Sequence, residues 1–260
     1  LTARVGFWLE LPDLSRGFLT TLAIRAVGGL QLRQTADFVL AIGDRAQRFY
    51  QGSAPDVPVH LVPYGQDLSH HLAIERGEPH APITFLFSGQ LLPRNNIRQL
   101  VAAFDTLATT HPGQWRFIVA AGGPEEPAIR ELMARSPAAN GAIVFDREYE
   151  TWLDRIRPFR DADVLICPSL HAGWALVVPE AMAAGMSVIA TRFVNAARFY
   201  VRPDVSGLFV TPDAASIYRA LRRFVEDPAA IGRMGAEARV ASHDGTAEAI
   251  AARLCAALRI

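Results

Sequence analysis

The chain has 260 residues, half of them hydrophobic, and its 26 basic and 26 acidic side chains cancel. That balance describes a globular chain and offers no basic excess for nucleic acid. Every basic residue is arginine, and the lack of lysine removes two enzyme classes: pyridoxal-phosphate enzymes, which need a lysine Schiff base, and P-loop proteins, which need the lysine of GK[ST].

Residues 17–35 place Leu19, Leu22, Ala23, Ala26, Val27 and Leu30 at helical spacing despite a glycine pair. Arg25 interrupts this apolar stretch, which falls short of a membrane span. "DFVLAIG" (37–43) reads as a buried strand, Asp44 as the cap of a following helix, and "VHLVPYG" (59–65) as another strand. Residues 66–82 are polar and rich in His and Pro, so they read as a linker in which His70 and His71 form a solvated pair.

A regular alternation follows. Strands are expected at "ITFLFSG" (83–89), "WRFIVAAGG" (115–123), "AIVFD" (142–146), "DVLICPS" (163–169) and "SVIAT" (187–191). Helices are expected between them, near 95–110, 126–136, 150–160 and around Glu180. Continuous apolar strands alternating with helices imply a Rossmann-like parallel sheet, covered by helices on both faces and joined by right-handed crossovers. The tail reads as helical through "DAASIYRALRRFVEDP" and "TAEAIAARLCAALRI". Cys167 and Cys255, far apart in an apolar strand and a helix, fit reduced and buried residues. No secretory signal pattern opens the chain, and the expected location is cytoplasmic.

Ligands of open parallel sheets bind outside the carboxyl ends of the strands. Three such ends carry glycine beside a helix start: "FSGQLLPRNN", "AAGGPEE" and "PSLHAGWALVVPE". Free backbone amides and the helix dipole there favour an anion such as a diphosphate. Neither G-x-G-x-x-G nor G-x-S-x-G occurs, which leaves a dinucleotide fingerprint and a hydrolase elbow unsupported. "DAD" (161–163) precedes its strand, so it reads as a helix end and not as a metal motif.

The strings "FSGQLLPRNNIRQLVAAF", "AAGGPEEPAIREL", "DADVLICPSLHAGWALVVPEAMAAGMSVIAT" and "SGLFVTPDAASIYRALRRFVEDP" resemble the nucleotide-sugar half of the family 4 retaining glycosyltransferases. The resemblance runs in order over about residues 37–240 and implies an α/β fold of GT-B type. It implies sugar transfer from a nucleoside-diphosphate sugar with retention of configuration, without metal or other cofactor. The acceptor is open: a glycan, a lipid-linked sugar or a small molecule. A lipid-linked acceptor would bring peripheral contact with the inner face of the cell membrane, as in polysaccharide biosynthesis. By this resemblance Glu180 matches the second acid of an E-x7-E motif and holds the ribose hydroxyls, while Arg94 faces the diphosphate; these two are the catalytic candidates. Ser88, Gly89, Gln90, Gly122, Gly123, Gly173, Trp174 and Ala175 complete the expected nucleotide-sugar site.

The departures from the family pattern are specific. Ala172 stands in place of the first acid, Asn95 in place of a diphosphate lysine, and Asn96 in place of the next glycine. Ala175 replaces the second glycine of the turn, and Arg147 stands where a glycine near the base pocket is common. His171 is the polar side chain nearest the missing acid. These changes motivate an alternative expectation, a non-catalytic relative kept for binding or assembly. The expected organisation is the remainder of an acceptor-side α/β domain over 1–70 and a linker over 71–82, then the nucleotide-sugar domain over 83–240 and a C-terminal helix over 241–260. The first portion is short against an ordinary domain of about 100–150 residues, so the chain reads as part of a longer protein.

Overall fold

A computed structural model describes residues 4–12, 18–79 and 81–258. Among these the chain forms nine strands in two parallel sheets. It divides into two compact units, Leu1–Gln66 with Gly245–Ile260, and Asp67–Asp244.

In the first unit, β1 (Gly6–Leu9), β2 (Phe38–Ala41) and β3 (Val59–Leu61) lie side by side in that order, connected through α1 (Phe18–Thr35) and α2 (Asp44–Ser53). β2 is central and buried along its whole length, as its unbroken "FVLA" dictates. Helix α1 forms as its spacing predicts, but it packs through Gly29 and Leu32, whereas Leu19, Leu22, Val27 and Leu30 are exposed. β1 is an unforeseen strand, because four residues with one glycine carry too little periodic signal.

The second unit begins with α3 (Ser69–Leu72) and runs through β4 (Ile83–Gln90), α4 (Ile97–Thr110), β5 (Trp115–Gly122), α5 (Glu126–Arg135), α6 (Pro137–Ala142) and β6 (Ile143–Phe145). It continues with α7 (Arg157–Asp161), β7 (Val164–Cys167), α8 (Val177–Ala183), β8 (Ser187–Thr191) and α9 (Asn195–Tyr200). β9 (Gly207–Val210), α10 (Ala214–Glu226) and α11 (Pro228–Ser242) complete it. The last helix, α12 (Ala247–Leu258), returns to the first unit, where Ile250 and Leu254 pack on Phe38, Leu40 and Val62.

The second sheet has the order β6-β5-β4-β7-β8-β9, every neighbour parallel. The chain therefore winds one way from β4 to β6, crosses back, and winds the other way from β7 to β9. The reversal lies between β4 and β7, and a crevice opens at such a switch point. Helices cover both faces: α4 packs on α5, α6 and α10, while α8 packs on α3, α9 and α11. Strand β8 is buried throughout, and β4 is buried from Ile83 to Phe87 before emerging at Ser88, Gly89 and Gln90. Its polar end is thus delivered to the crevice by an apolar stem.

The stretch expected to be a linker over 71–82 belongs to this unit and is strapped down. Arg76 donates from Nε to Ala184 O at 2.6 Å, from Nη1 to Ala162 O at 2.5 Å, and from Nη2 to Phe159 O. Arg239 donates to Leu72 O at 3.0 Å and Ile74 O at 2.5 Å. His71, expected in solvent, is buried with its ring edge-on to Phe159 at 5.0 Å. Cys255, expected to be buried, is exposed. The "DAD" reading agrees with the structure: α7 ends at Asp161, and Asp163 Oδ2 accepts from Thr84 N at 2.8 Å as β7 begins. Helix α11 was not anticipated because its "PAAIGRMGAEARVAS" is nearly uniform in polarity. Asp227 capping Ala230 N, with Pro228 in the first turn, was the available signal.

Candidate functional site

A cavity of about 320 Å³ lies at the switch point, where β4 and β7 end. Of the residues expected in the site, Ser88, Gly89, Gln90, Arg94, Gly173 and Ala175 all line it, together with Asn95, His171 and Ala172. Among the described residues Arg94 and His171 are the lining groups able to carry positive charge, and none of the lining residues is a carboxylate. Arg94 is exposed, and among the described residues no carboxylate pairs with its guanidinium. Such a wall favours an anionic ligand.

The two strand-end loops are laced together beneath it. Asn95 Nδ2 donates to Gln90 O at 2.6 Å, and Ser169 Oγ donates to Asn95 Oδ1 at 3.1 Å. Leu170 N donates to Arg94 O at 2.8 Å, and Thr191 Oγ1 donates to Ser169 O at 2.5 Å. Asn95 is therefore a brace for the loops. Asn96 is buried in the left-handed region at φ 61°, a conformation that asparagine tolerates better than most residues. Its Nδ2 reaches Pro168 O at 3.2 Å and Pro212 O at 2.9 Å, joining three loops. A glycine there would supply the backbone geometry but neither bond.

Two glycines have distinct causes. Gly89 has φ 145°, and a Cβ built on it meets nothing within 4 Å, so the backbone is bare on the cavity side. Gly123 has φ 147°, and a Cβ there would lie 2.8 Å from Leu91 O, so close packing of the two loops requires it. Gly122 and Gly123 stand outside the cavity wall. Trp174 also lies outside: its ring is 3% exposed and packs on Phe199 and Tyr200 at 5.6 and 5.9 Å. What the turn offers the cavity comes from its neighbours Gly173 and Ala175. Glu180 is the fourth residue of α8, half-buried and beyond the cavity wall. Cys167 does line the cavity, a residue the sequence reading assigned only to structure, but burial pushes its thiol up to about 12 and it is no nucleophile near neutral pH.

Ala175 has φ 66°, where a Cβ crowds the following carbonyl. An Ala175→Gly variant is expected to be more stable by about 0.5–1 kcal/mol. Urea unfolding measures this, and a loss of stability would show that the Ala175 methyl packs favourably enough to outweigh its strain.

A doubly wound parallel sheet with an acid-free cavity at its switch point defines a Rossmann-like domain whose ligand crevice suits an anion. The family model of the group 1 glycosyl transferases matches residues 73–241, and the chain belongs to that family. The D-inositol 3-phosphate glycosyltransferase of Streptomyces avermitilis is 29% identical over 247 residues, covering 85% of this chain and 51% of the relative. The chain spans about half the length of such curated relatives. Among solved structures, the Anabaena protein HepE in complex with UDP matches with a TM-score of 0.77 at 17% identity, over 98% of this chain and 71% of that one. Sucrose-phosphate synthase of Thermosynechococcus elongatus matches with a TM-score of 0.72 at 23% identity, over 95% of this chain and 63% of that one. The fold is of the GT-B type that the resemblance implies.

Proposed function

We propose that this chain carries the nucleotide-sugar site of a retaining glycosyltransferase, which moves a sugar from a nucleoside-diphosphate sugar to an acceptor. The observation that carries the reading is the switch-point cavity, lined by Arg94 and Gly173 beside the bare backbone of Gly89. The diphosphate lies against Arg94, whose charge stabilises it as it becomes the leaving group. Glu180 accepts hydrogen bonds from the ribose hydroxyls at the start of α8. The leaving phosphate takes the proton of the acceptor hydroxyl as the new bond forms on the face the nucleotide leaves, which retains configuration. The HepE structure holds UDP, which makes a uridine nucleotide the first ligand to test.

A second reading, binding without transfer, draws on Ala172. Its amide is pinned to Phe193 O at 3.2 Å, its side is in the cavity wall, and it offers no acceptor for a sugar hydroxyl. Calorimetric titration with UDP and UDP-sugars, followed by an assay of donor hydrolysis, separates the two. Micromolar binding with turnover supports the transferase, and binding without turnover supports the second reading. Glu180→Gln is expected to weaken nucleotide affinity by about tenfold, and unchanged affinity would remove Glu180 from the site.

A further inference from the structure

Helix α1 leaves its apolar stripe in solvent. On its inner side the helix is pressed onto α2: a Cβ built on Gly29 would lie 2.2 Å from Ser53 O, and Leu32 is buried. The opposite side carries Leu19, Leu22, Ala23, Ala26, Val27 and Leu30, all exposed, Leu19 by 78% and Val27 by 68%. The helix has no acidic residue, and its two arginines turn to neighbouring parts of their own unit. Arg25 lies over the Phe49 ring at 5.8 Å, and Arg33 Nε lies 3.8 Å from Asp56 Oδ2. The stripe itself therefore holds no charge. Its side chains also form a palindrome by size: Leu19, Leu22 and Ala23 lead up to the midpoint between residues 24 and 25, and Ala26, Val27 and Leu30 lead away from it in mirrored order.

We propose that this stripe is a homodimer contact, in which two copies of the chain pack their α1 helices antiparallel about a two-fold axis through that midpoint. Such an axis makes an isologous contact, where residue i meets residue j and j meets i. It sets Leu19 against Leu30 of the second copy, Leu22 against Val27, and Ala23 against Ala26. Leu19, Ala23, Ala26 and Leu30 alternate spacings of four and three residues, the seam of a shallowly crossing helix pair. Alanines at the centre admit close approach, and leucines close both ends. Parallel pairing would instead bring like helix ends and both Arg33 side chains together. The six side chains expose on the order of 600 Å² per copy, so pairing removes on the order of 1,200 Å² from water, the lower end of a specific interface. That size suits a reversible dimer with a dissociation constant of about 1–100 μM. A lipid surface would call for basic side chains along the rim of the stripe, whereas Arg25 and Arg33 are turned to Phe49 and Asp56.

Sedimentation equilibrium of the 260-residue chain between about 1 and 300 μM tests the inference. The mass is expected to rise from 28.4 kDa toward twice that value, without larger species. Leu19→Glu and Leu30→Arg are each expected to weaken association by about tenfold or more, since each seats a charge against a leucine. Mixed in equal amounts, the two variants are expected to recover the dimer. The antiparallel register then sets the new carboxylate beside the new guanidinium at one end and keeps the leucine pair at the other. Both positions are exposed, and melting curves matching the parent show that the variants remain folded. A chain that stays monomeric at about 300 μM overturns the proposal, as does a dimer that both substitutions leave intact or that mixing fails to restore. Flotation of the parent, but not of Leu19→Glu, with vesicles of phosphatidylcholine and phosphatidylglycerol would make a lipid surface the occupant and overturn it as well.

Discussion

Arg94→Ala should weaken binding of a nucleoside diphosphate by about 10- to 150-fold while leaving the melting temperature where it was. The loss corresponds to about 1.5–3 kcal/mol, the range for hydrogen bonds to a charged group. Arg94 is exposed in the cavity wall, and among the described residues no carboxylate shares its charge. Its backbone, by contrast, is fixed by Leu170 N to Arg94 O at 2.8 Å and by the Asn95 brace, so the variant keeps the loop. Arg94→Lys should recover part of the affinity, since it restores charge but not the planar fork. Titration of the three proteins with UDP decides the matter. If Arg94→Ala binds as the parent does, the diphosphate is held elsewhere and the proposed mechanism fails.

The second large effect concerns stability and lies away from the cavity. Arg76→Ala should cost about 2–4 kcal/mol in urea unfolding, because it orphans three carbonyls at once, those of Ala184, Ala162 and Phe159. These belong to the C-cap of α8, the residue joining α7 to β7, and α7 itself, so one side chain ties the opening segment of the unit to both. Arg76→Met keeps most of the stem volume and removes the donors, and it should lose nearly as much. Burial lowers the guanidinium from 12.5 to about 10, chiefly by desolvation. Folded and unfolded values both lie well above neutrality, so the group stays protonated in either state and the loss should be the same across about pH 6–8. A change below about 0.5 kcal/mol would mean that water entering the adjoining cavity, about 590 Å³, satisfies the carbonyls as well as Arg76 does.

Legibility differed between fold and site for identifiable reasons. "ITFLFSG", "DVLICPS" and "SVIAT" were readable as strands because burial on both faces demands unbroken apolar runs. β9 and β1 were not, being four residues each with a glycine, formed only once a neighbouring strand supplies the hydrogen bonds. The segment 71–82 looked like a linker because its contacts run through arginine donors to distant carbonyls, which leave no periodic pattern. Gly89, Arg94 and Gly173 stood out in the sequence as glycine and charge at strand ends, and the structure puts them in the wall of one cavity. Trp174 was ambiguous in sequence, and the structure puts its ring among aromatics. Asn95 and Asn96 looked like lost function, yet their amides make four bonds that hold the loops together.

Composition and apolar spacing by themselves determined that this chain builds an alternating α/β sheet and lacks the lysine that two enzyme classes require, because periodicity and side-chain chemistry are local properties. Strand order is not local. Only the tertiary structure, by placing β7 beside β4 instead of beside β6, put the reversal between "FSGQLLPR" and "PSLHAGWA" and brought Arg94, His171 and Gly89 around one cavity. The same packing set the Arg147 side chain against the backbone of Gly122, distant in sequence, because β5 and β6 are neighbours in register. Those positions depend on which distant surfaces close on one another, and that is decided by burial summed over the whole sheet.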